Sequence, residues 1–300
     1  MLHFLPGPLR GIMALPIVAV STLLCVFAVY AVAVLRLLSP VDGLRRVLSR
    51  TLTAIPECWV SLNNALMRLM HRISWDITGL EGLSREKWYL ICCNHQSAVD
   101  IPVLQRVFRE HIPFIRFFIK QELLWMPLLG FAWWALDYPF VKRYSRDFLD
   151  KHPELRGKDL ETTRRACMRL RHAPTAILNF VEGTRFTPSK HASQRSPYRH
   201  LLRPKAGGMA LAIGSMGEMF SSVLDVTITY PDGVTGLWGL FSGRLNRVKV
   251  HVEQRGIPGE FLRGDYADDP LFRERFHEWI QQLWREKDAR LEGLKDGMIQ

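Results

Sequence analysis

The chain has 300 residues, 48% of them hydrophobic, with a formal net charge of +11 and a pI ≈ 9.7. That apolar content excludes intrinsic disorder and suffices for one catalytic-sized core, while the charge points to an anionic partner: a membrane surface, nucleic acid or phosphorylated small molecule. The five cysteines, Cys25, Cys58, Cys92, Cys93 and Cys167, are odd in number and show no C-x-x-C spacing, which argues against a disulfide framework or zinc site and for a reducing compartment.

Residues 12–35 carry no charge, and a run of about 24 is long enough for a tilted span of a hydrocarbon core roughly 30 Å thick. A cleaved signal peptide has an apolar region of about 7 to 15 residues, so this segment is expected to be retained. Arg36, Arg45, Arg46 and Arg50 follow it and only Arg10 precedes it, so the positive-inside rule places everything after residue 36 on the cytoplasmic side. A monotopic hairpin dipping into one leaflet is the alternative. Ile55, Trp59, Leu62, Leu66 and Leu69 then recur at steps of three and four, with Pro56 near the first turn and Arg68 and Arg72 at the end. They predict an amphipathic helix, lying either in the headgroup region or as the first core helix of the domain.

From about residue 73 short apolar or alternating runs predict strands at 88–94, 113–120, 138–142, 175–181, 223–230 and 247–253. Helical patterns lie between them at 158–172 and 204–217. This alternation argues for an α/β domain with helices covering a mixed sheet. Residues 189–200 are polar, basic and aperiodic, and read as a mobile loop. Leu271, Phe272, Phe276, Trp279, Ile280 and Leu283 mark one face of a C-terminal helix. No phosphate-binding glycine motif of the nucleotide-binding folds is present.

Four blocks carry chemistry. Asn94-His95-Gln96-Ser97-Ala98-Val99-Asp100 follows an apolar strand, and His95 and Asp100 meet only if His95 is in a loop and Asp100 opens the next helix, with Pro102 in its first turn. Asp100 then either merely caps that helix, or orients His95 as a general base. Glu182-Gly183-Thr184-Arg185 follows a strand at the end where open α/β sheets bind ligands, and Arg185 offers a fork suited to phosphate; the plainer alternative is a β-turn with a Glu182–Arg185 surface ion pair. Residues 120–143 form an apolar stretch between Lys120 and Arg143, suited to an acyl channel with cations at its mouth or to a buried helix and strand. Leu202-Arg203-Pro204-Lys205-Ala206-Gly207-Gly208 brings two cations to a helix start.

In order and spacing these blocks resemble the lysophosphatidate acyltransferase (1-acylglycerol-3-phosphate O-acyltransferase) family over about residues 73–298, as in bacterial members close to the long eukaryotic branch. His95 and Asp100 match its H-x-x-x-x-D motif and residues 182–185 its E-G-T-R motif; Lys120, Pro127, Gly130 and Arg143 fit the second block and Pro204 the fourth. Two departures are Asp137, where many members have Gly, and Arg203, where many have an apolar residue.

The resemblance implies a glycerophospholipid acyltransferase fold divided into a membrane anchor and amphipathic helix (1–72), an acyltransferase domain (73–260) and a C-terminal helical extension (261–300). It implies catalysis by His95 and Asp100, acceptor binding by Glu182, Gly183, Thr184, Arg185, Lys120 and Arg143, and oxyanion donors near Gly130. The expected reaction moves an acyl group from acyl-CoA or acyl carrier protein to lysophosphatidate or another lysophospholipid, such as lysophosphatidylglycerol or lysocardiolipin, with no metal or cofactor. The expected partners are acceptor, donor and membrane lipids but no nucleic acid. The expected site is a bacterial inner membrane, facing the cytoplasm, or the endoplasmic reticulum in a eukaryote. A lipid hydrolase using the same dyad on water, a basic nucleic-acid-binding protein and a pseudoenzyme are the competing classes.

Overall fold

The computed structural model describes residues 4–141, 173–266 and 268–295, together with Arg165, Cys167 and Leu170. Strands β1 (Ser74–Thr78), β2 (Tyr89–Cys93), β3 (Ile115–Phe117), β6 (Ala176–Phe180), β7 (Ser222–Thr229) and β8 (Arg247–Arg255) form one sheet in the order β1-β8-β7-β2-β6-β3. β4 (Ile119–Lys120) and β5 (Phe140–Val141) pair in parallel as a separate ribbon. The central strands run parallel, and only β7 and β8 pair antiparallel among the described strands. This is the expected mixed sheet.

β2 is buried on both faces, which explains its unbroken apolar run. Leu90 and Cys92 face one core with Met209 and Ile213 of α6 (Gly207–Met216) and Phe276, Ile280 and Trp284 of α8 (Pro270–Lys295). Tyr89, Ile91 and Cys93 face the other core with Val103, Leu104 and Phe108 of α3 (Asp100–Phe108). Residues of α8 thus share a core with the central strand. Burial pushes the Cys92 thiol up to about 12 and Cys93 well above the usual range, so neither is poised as a nucleophile.

Three details differ from the sequence pattern. The run at 113–120 splits into β3 and β4, which belong to different sheets, and β1 forms where alternation over five residues is too short to stand out. The expected mobile loop at 189–200 is built around helix α5 (Pro188–Gln194). Thr187 caps it by accepting from the Lys190 amide at 3.3 Å, Pro188 supplies a first-turn φ, and His191 Nε2 meets the Tyr198 carbonyl at 2.6 Å. A helix of about two turns is too short to display periodicity. The helix expected at 158–172 lies outside the described residues except for three positions.

At the N-terminus α1 (Gly7–Leu38) and α2 (Asp42–Met70) form a helical hairpin. α1 is long and apolar enough to cross a membrane by length and composition. α2 begins at Asp42, so Pro56 lies inside the helix rather than in its first turn. Its buried stripe is Leu52, Pro56, Val60, Asn64, Met67 and Met70, while the expected Leu62 and Leu69 point outward. The reason is tertiary: one side of α2 is covered by α1 and the domain, leaving part of the apolar stripe open.

Both ends of α1 are tied to the rest of the chain. Arg10 donates to the Met70 carbonyl at 3.1 Å, and Gly11 lies so close to Trp238 of α7 (Leu237–Phe241) that a Cβ would come within 2.8 Å of the ring. At the other end Tyr30 donates to the Leu128 carbonyl at 2.5 Å and Arg36 pairs with Asp137 at 3.4 Å, beside α4 (Leu129–Ala135). Asp137 has a φ of 57°, a left-handed conformation that glycine adopts freely and aspartate tolerates. Ile12, Leu24, Phe27 and Val34 of α1, with Trp125 and Phe131 nearby in the fold, remain exposed.

Candidate active site

The parallel register brings the carboxyl ends of β2, β6 and β7 to one edge, with Cys93 opposite both Phe180 and Val226. β7 continues past that point, and Asn94 uses the extension. Its side-chain amide donates to the Ile228 carbonyl and its side-chain oxygen accepts from the Ile228 amide, both at 2.9 Å. This two-point bond locks the chain where it leaves the sheet and enters the loop carrying His95.

His95 Nδ1 lies 2.7 Å from Asp100 Oδ2. A carboxylate only accepts, so the proton belongs on Nδ1 and Nε2 carries the free lone pair. Asp100 is fully buried and accepts four hydrogen bonds. The Gln96 and Ser97 amides donate to Oδ2 at 2.7 and 2.9 Å beside His95, and the Tyr230 hydroxyl donates to Oδ1 at 2.6 Å. Burial and the adjacent Asp100 push the Tyr230 phenol well above its ordinary range, so it stays protonated and donates. α3 begins at Asp100 itself, with Val99 as its uncapped N-cap. Asp100 therefore does not cap the helix amides; its carboxylate turns back to the loop and the imidazole.

Phe180, the last residue of β6, stacks on the His95 ring with centroids 3.9 Å apart and planes 14° from parallel. The ring is thus held by a hydrogen bond at one edge and an aromatic face, with 16% of its side chain exposed for a substrate. The Phe186 amide donates to the His95 carbonyl at 2.7 Å, tying the first block to the E-G-T-R loop.

Within that loop Gly183 takes a φ of 68° and donates its amide to the Phe180 carbonyl at 2.8 Å, a turn that favours glycine. Glu182 is buried, with its pKa raised to about 8 by desolvation; the amides of His95 and Leu202 and the Lys287 ammonium oppose that shift only in part. Neither of its carboxyl oxygens completes a hydrogen bond among the described residues. The Glu182 carboxyl is thus buried at the base of this loop. Arg185 is exposed and, among the described residues, has no ion-pair partner, so the alternative Glu182–Arg185 surface pair does not form. Lys190 of α5 reaches back to Thr184 Oγ1 at 2.7 Å and the Arg185 carbonyl at 3.1 Å, adding a cation to this loop.

Lys120 sits exposed on the β4–β5 ribbon, and Arg143 lies outside the described residues. The expectation of oxyanion donors near Gly130 is not met by that residue's own amide, which bonds the Met126 carbonyl at 3.0 Å. Gly130 is there for packing: a Cβ would lie 1.9 Å from the Leu124 carbonyl oxygen. Sequence reasoning missed Phe180, Tyr230, Asn94 and Lys190. Asn94 opens the first quoted block and Lys190 lies in the stretch read as a loop, whereas Phe180 and Tyr230 read only as strand residues.

Comparison with known proteins decides the family. The acyltransferase family model matches residues 74–230, more than half of the chain and the span that holds this site. The chain belongs to the acyltransferase family. Its relatives within that family include human 1-acyl-sn-glycerol-3-phosphate acyltransferase gamma, 29% identical over 57% of this chain and 43% of the relative. Another is Arabidopsis thaliana 1-acyl-sn-glycerol-3-phosphate acyltransferase 3, 26% identical over 72% of this chain and 56% of the relative. The chain spans about half the length of these curated relatives. Among solved acyltransferase structures, the 1-acyl-sn-glycerophosphate acyltransferase PlsC from Thermotoga maritima shares the fold, with a TM-score of 0.51 at 17% identity over 92% of this chain and 97% of that one.

Proposed function

We propose that this acyltransferase-family chain transfers a fatty acyl group from acyl-CoA or acyl carrier protein to the sn-2 hydroxyl of lysophosphatidate, giving phosphatidate. The observation that carries the reading is the His95–Asp100 pair, its imidazole oriented at the strand ends beside the E-G-T-R loop.

His95 Nε2 takes the proton of the acceptor hydroxyl as its oxygen bonds to the thioester carbonyl carbon. Asp100 stabilises the imidazolium so formed. Collapse of the tetrahedral intermediate breaks the carbon–sulfur bond, and the imidazolium proton goes to the departing thiolate. A thiol pKa of about 8.5 makes that departure undemanding and requires no metal. Direct transfer without an acyl-cysteine is supported by the inert environments of Cys92 and Cys93. Thr184 and Arg185, with Gly183 allowing close approach and Lys120 and Arg143 assisting, would receive the acceptor's phosphate and glycerol.

The printed names of the relatives support lysophosphatidate as acceptor; remodelling of another lysophospholipid is the second reading, favoured only by the change to Arg203. Membrane association is supported by the exposed apolar face of α1 and by Trp125 and Phe131. Because the domain holds α1 at both ends, embedding in one leaflet fits better than a span with the domain wholly on one side. We place it at a bacterial inner membrane, on the cytoplasmic face.

The test is to incubate membranes containing the protein with labelled oleoyl-CoA or oleoyl carrier protein and a panel of lysophospholipids. Labelled phosphatidate, absent with His95→Ala, is expected. Release of free fatty acid in excess of ester product would identify a hydrolase instead and overturn the reading.

A further inference from the structure

A groove of about 940 Å³ runs between the 197–206 segment and α8, outside the dyad and the E-G-T-R loop. We propose that this groove binds the 3′-phosphorylated ADP end of acyl coenzyme A, an inference that rests on the acyltransferase reading and extends it to the donor.

Three observations converge. The volume lies in the range of ligand sites, about 300–1,000 Å³. The lining joins apolar Pro204, Ile280 and Ala289, a surface for a purine, to the cations Arg203 and Arg285. Arg203 stands on the 197–206 segment and Arg285 on α8, so each wall of the groove supplies one cation.

The cations are available, whereas the carboxylates are not. Arg203 donates to the Gln194 and Arg195 carbonyls, both at 2.9 Å, and Arg285 to Gln282 Oε1 at 2.8 Å; neither pairs with a carboxylate among the described residues. Asp288 accepts the Arg199 and His200 amides, each at 2.8 Å, and Glu292 pairs with the side chains of the same two residues. The acidic groups thus fasten the 197–206 segment to α8, leaving guanidinium forks matched to phosphate oxygens.

The segment that lines the groove is also bonded to the E-G-T-R loop. Pro204 and Ala206 flank Lys205, whose amide donates to the Val181 carbonyl at 2.7 Å and whose side chain lies against Gly183, 3.1 Å from where a Cβ would stand. Gly183 is three residues before Phe186, which bonds the His95 carbonyl. A pantetheine arm leaving the groove over Lys205 would carry its thioester toward His95.

The experiment uses the full chain in lipid nanodiscs. Adenosine 3′,5′-bisphosphate and phosphopantetheine are titrated calorimetrically into His95→Ala protein, with and without Arg203→Gln and Arg285→Gln. The nucleotide is expected to bind, and the double substitution to weaken it about tenfold, a loss of about 1.4 kcal/mol. In active protein the same substitutions should raise the KM for oleoyl-CoA about tenfold, with a far smaller effect on oleoyl-pantetheine, which lacks the nucleotide. Melting temperatures near wild type verify folding, and Arg203→Glu supplies a stronger second variant. Absence of nucleotide binding, binding of phosphopantetheine alone, or equal losses with both donors would overturn the proposal. The calorimetric result stands without turnover, so failure of the acyltransferase reading is read separately.

Discussion

Two buried carboxylic acids lie near the carboxyl ends of neighbouring strands: Asp100 after β2 and Glu182 after β6. Asp100 is surrounded by four donors, from His95, Gln96, Ser97 and Tyr230. Glu182 completes no side-chain hydrogen bond among the described residues, and burial raises it to about 8. The difference shows that burial alone does not set a carboxyl's role; the donors around it do. Asp100 is equipped to hold negative charge against an imidazolium, whereas burial favours the protonated form of Glu182 beneath the turn that presents Thr184 and Arg185.

The largest expected effect comes from breaking the first member of this pair. His95→Ala should lower kcat by at least about 10²–10⁴, and Asp100→Asn should approach that loss because an amide neither holds the tautomer nor balances the imidazolium. Initial rates of ester formation by folded, purified variants provide the check, and near-wild-type turnover in His95→Ala would remove the general-base role.

Next is Lys287, whose fully buried ammonium donates to the Val226 carbonyl at 2.6 Å and pairs with the equally buried Asp225. Lys287→Met should cost about 3 kcal/mol, the low end for a broken buried pair, because Arg290 remains 3.1 Å from Asp225. Denaturant unfolding measures it. Tyr230→Phe should cost about 1.5–3 kcal/mol by removing a donor to a charged acceptor, and should also alter the pH–rate profile by leaving Asp100 with three donors.

Glu182→Gln sharpens the comparison through pH. The folded pKa of Glu182 is raised to about 8 from a value near 4.5, so the folded state holds a proton that the unfolded chain has released. Its contribution is fully present below about pH 4.5 and is lost as pH rises to about 8. Glutamine cannot ionise, so the variant should lose less stability than wild type across that window; parallel pH–stability curves would show that Glu182 is ionised in the fold. The smallest effect is expected from Arg185→Lys, which keeps the charge but not the fork. It should raise acceptor KM a few-fold, more for lysophosphatidate than for a lysophosphodiester, with the donor KM unchanged. Equal losses for the two acceptors would assign Arg185 to the fold or to the donor.

The strand order of the chemistry was legible in the sequence: the apolar run at 88–94 before His95, the run at 175–181 before Glu182 and the five-residue step to Asp100 all rest on local pattern. So did the C-terminal helix, whose Phe276 and Ile280 are buried as its periodicity predicts. Helix α5 and strand β1 were not legible, because each is too short for periodicity to register. The true extent of α2 was hidden because a proline mid-helix resembles a proline at a start.

What the sequence by itself determined is therefore which residues can do acid–base chemistry and that strands end just before them, since motif spacing and hydrophobic period are local properties. Only the tertiary structure decided what surrounds those residues. Phe180 stacks on His95 because parallel pairing puts the end of β6 beside β2. Tyr230 reaches Asp100 across a sequence separation of 130 because β7 runs beyond the strand it pairs with. The opposite environments of Asp100 and Glu182 follow from such long-range packing, in which dielectric and donor geometry are set by residues that no local pattern brings together.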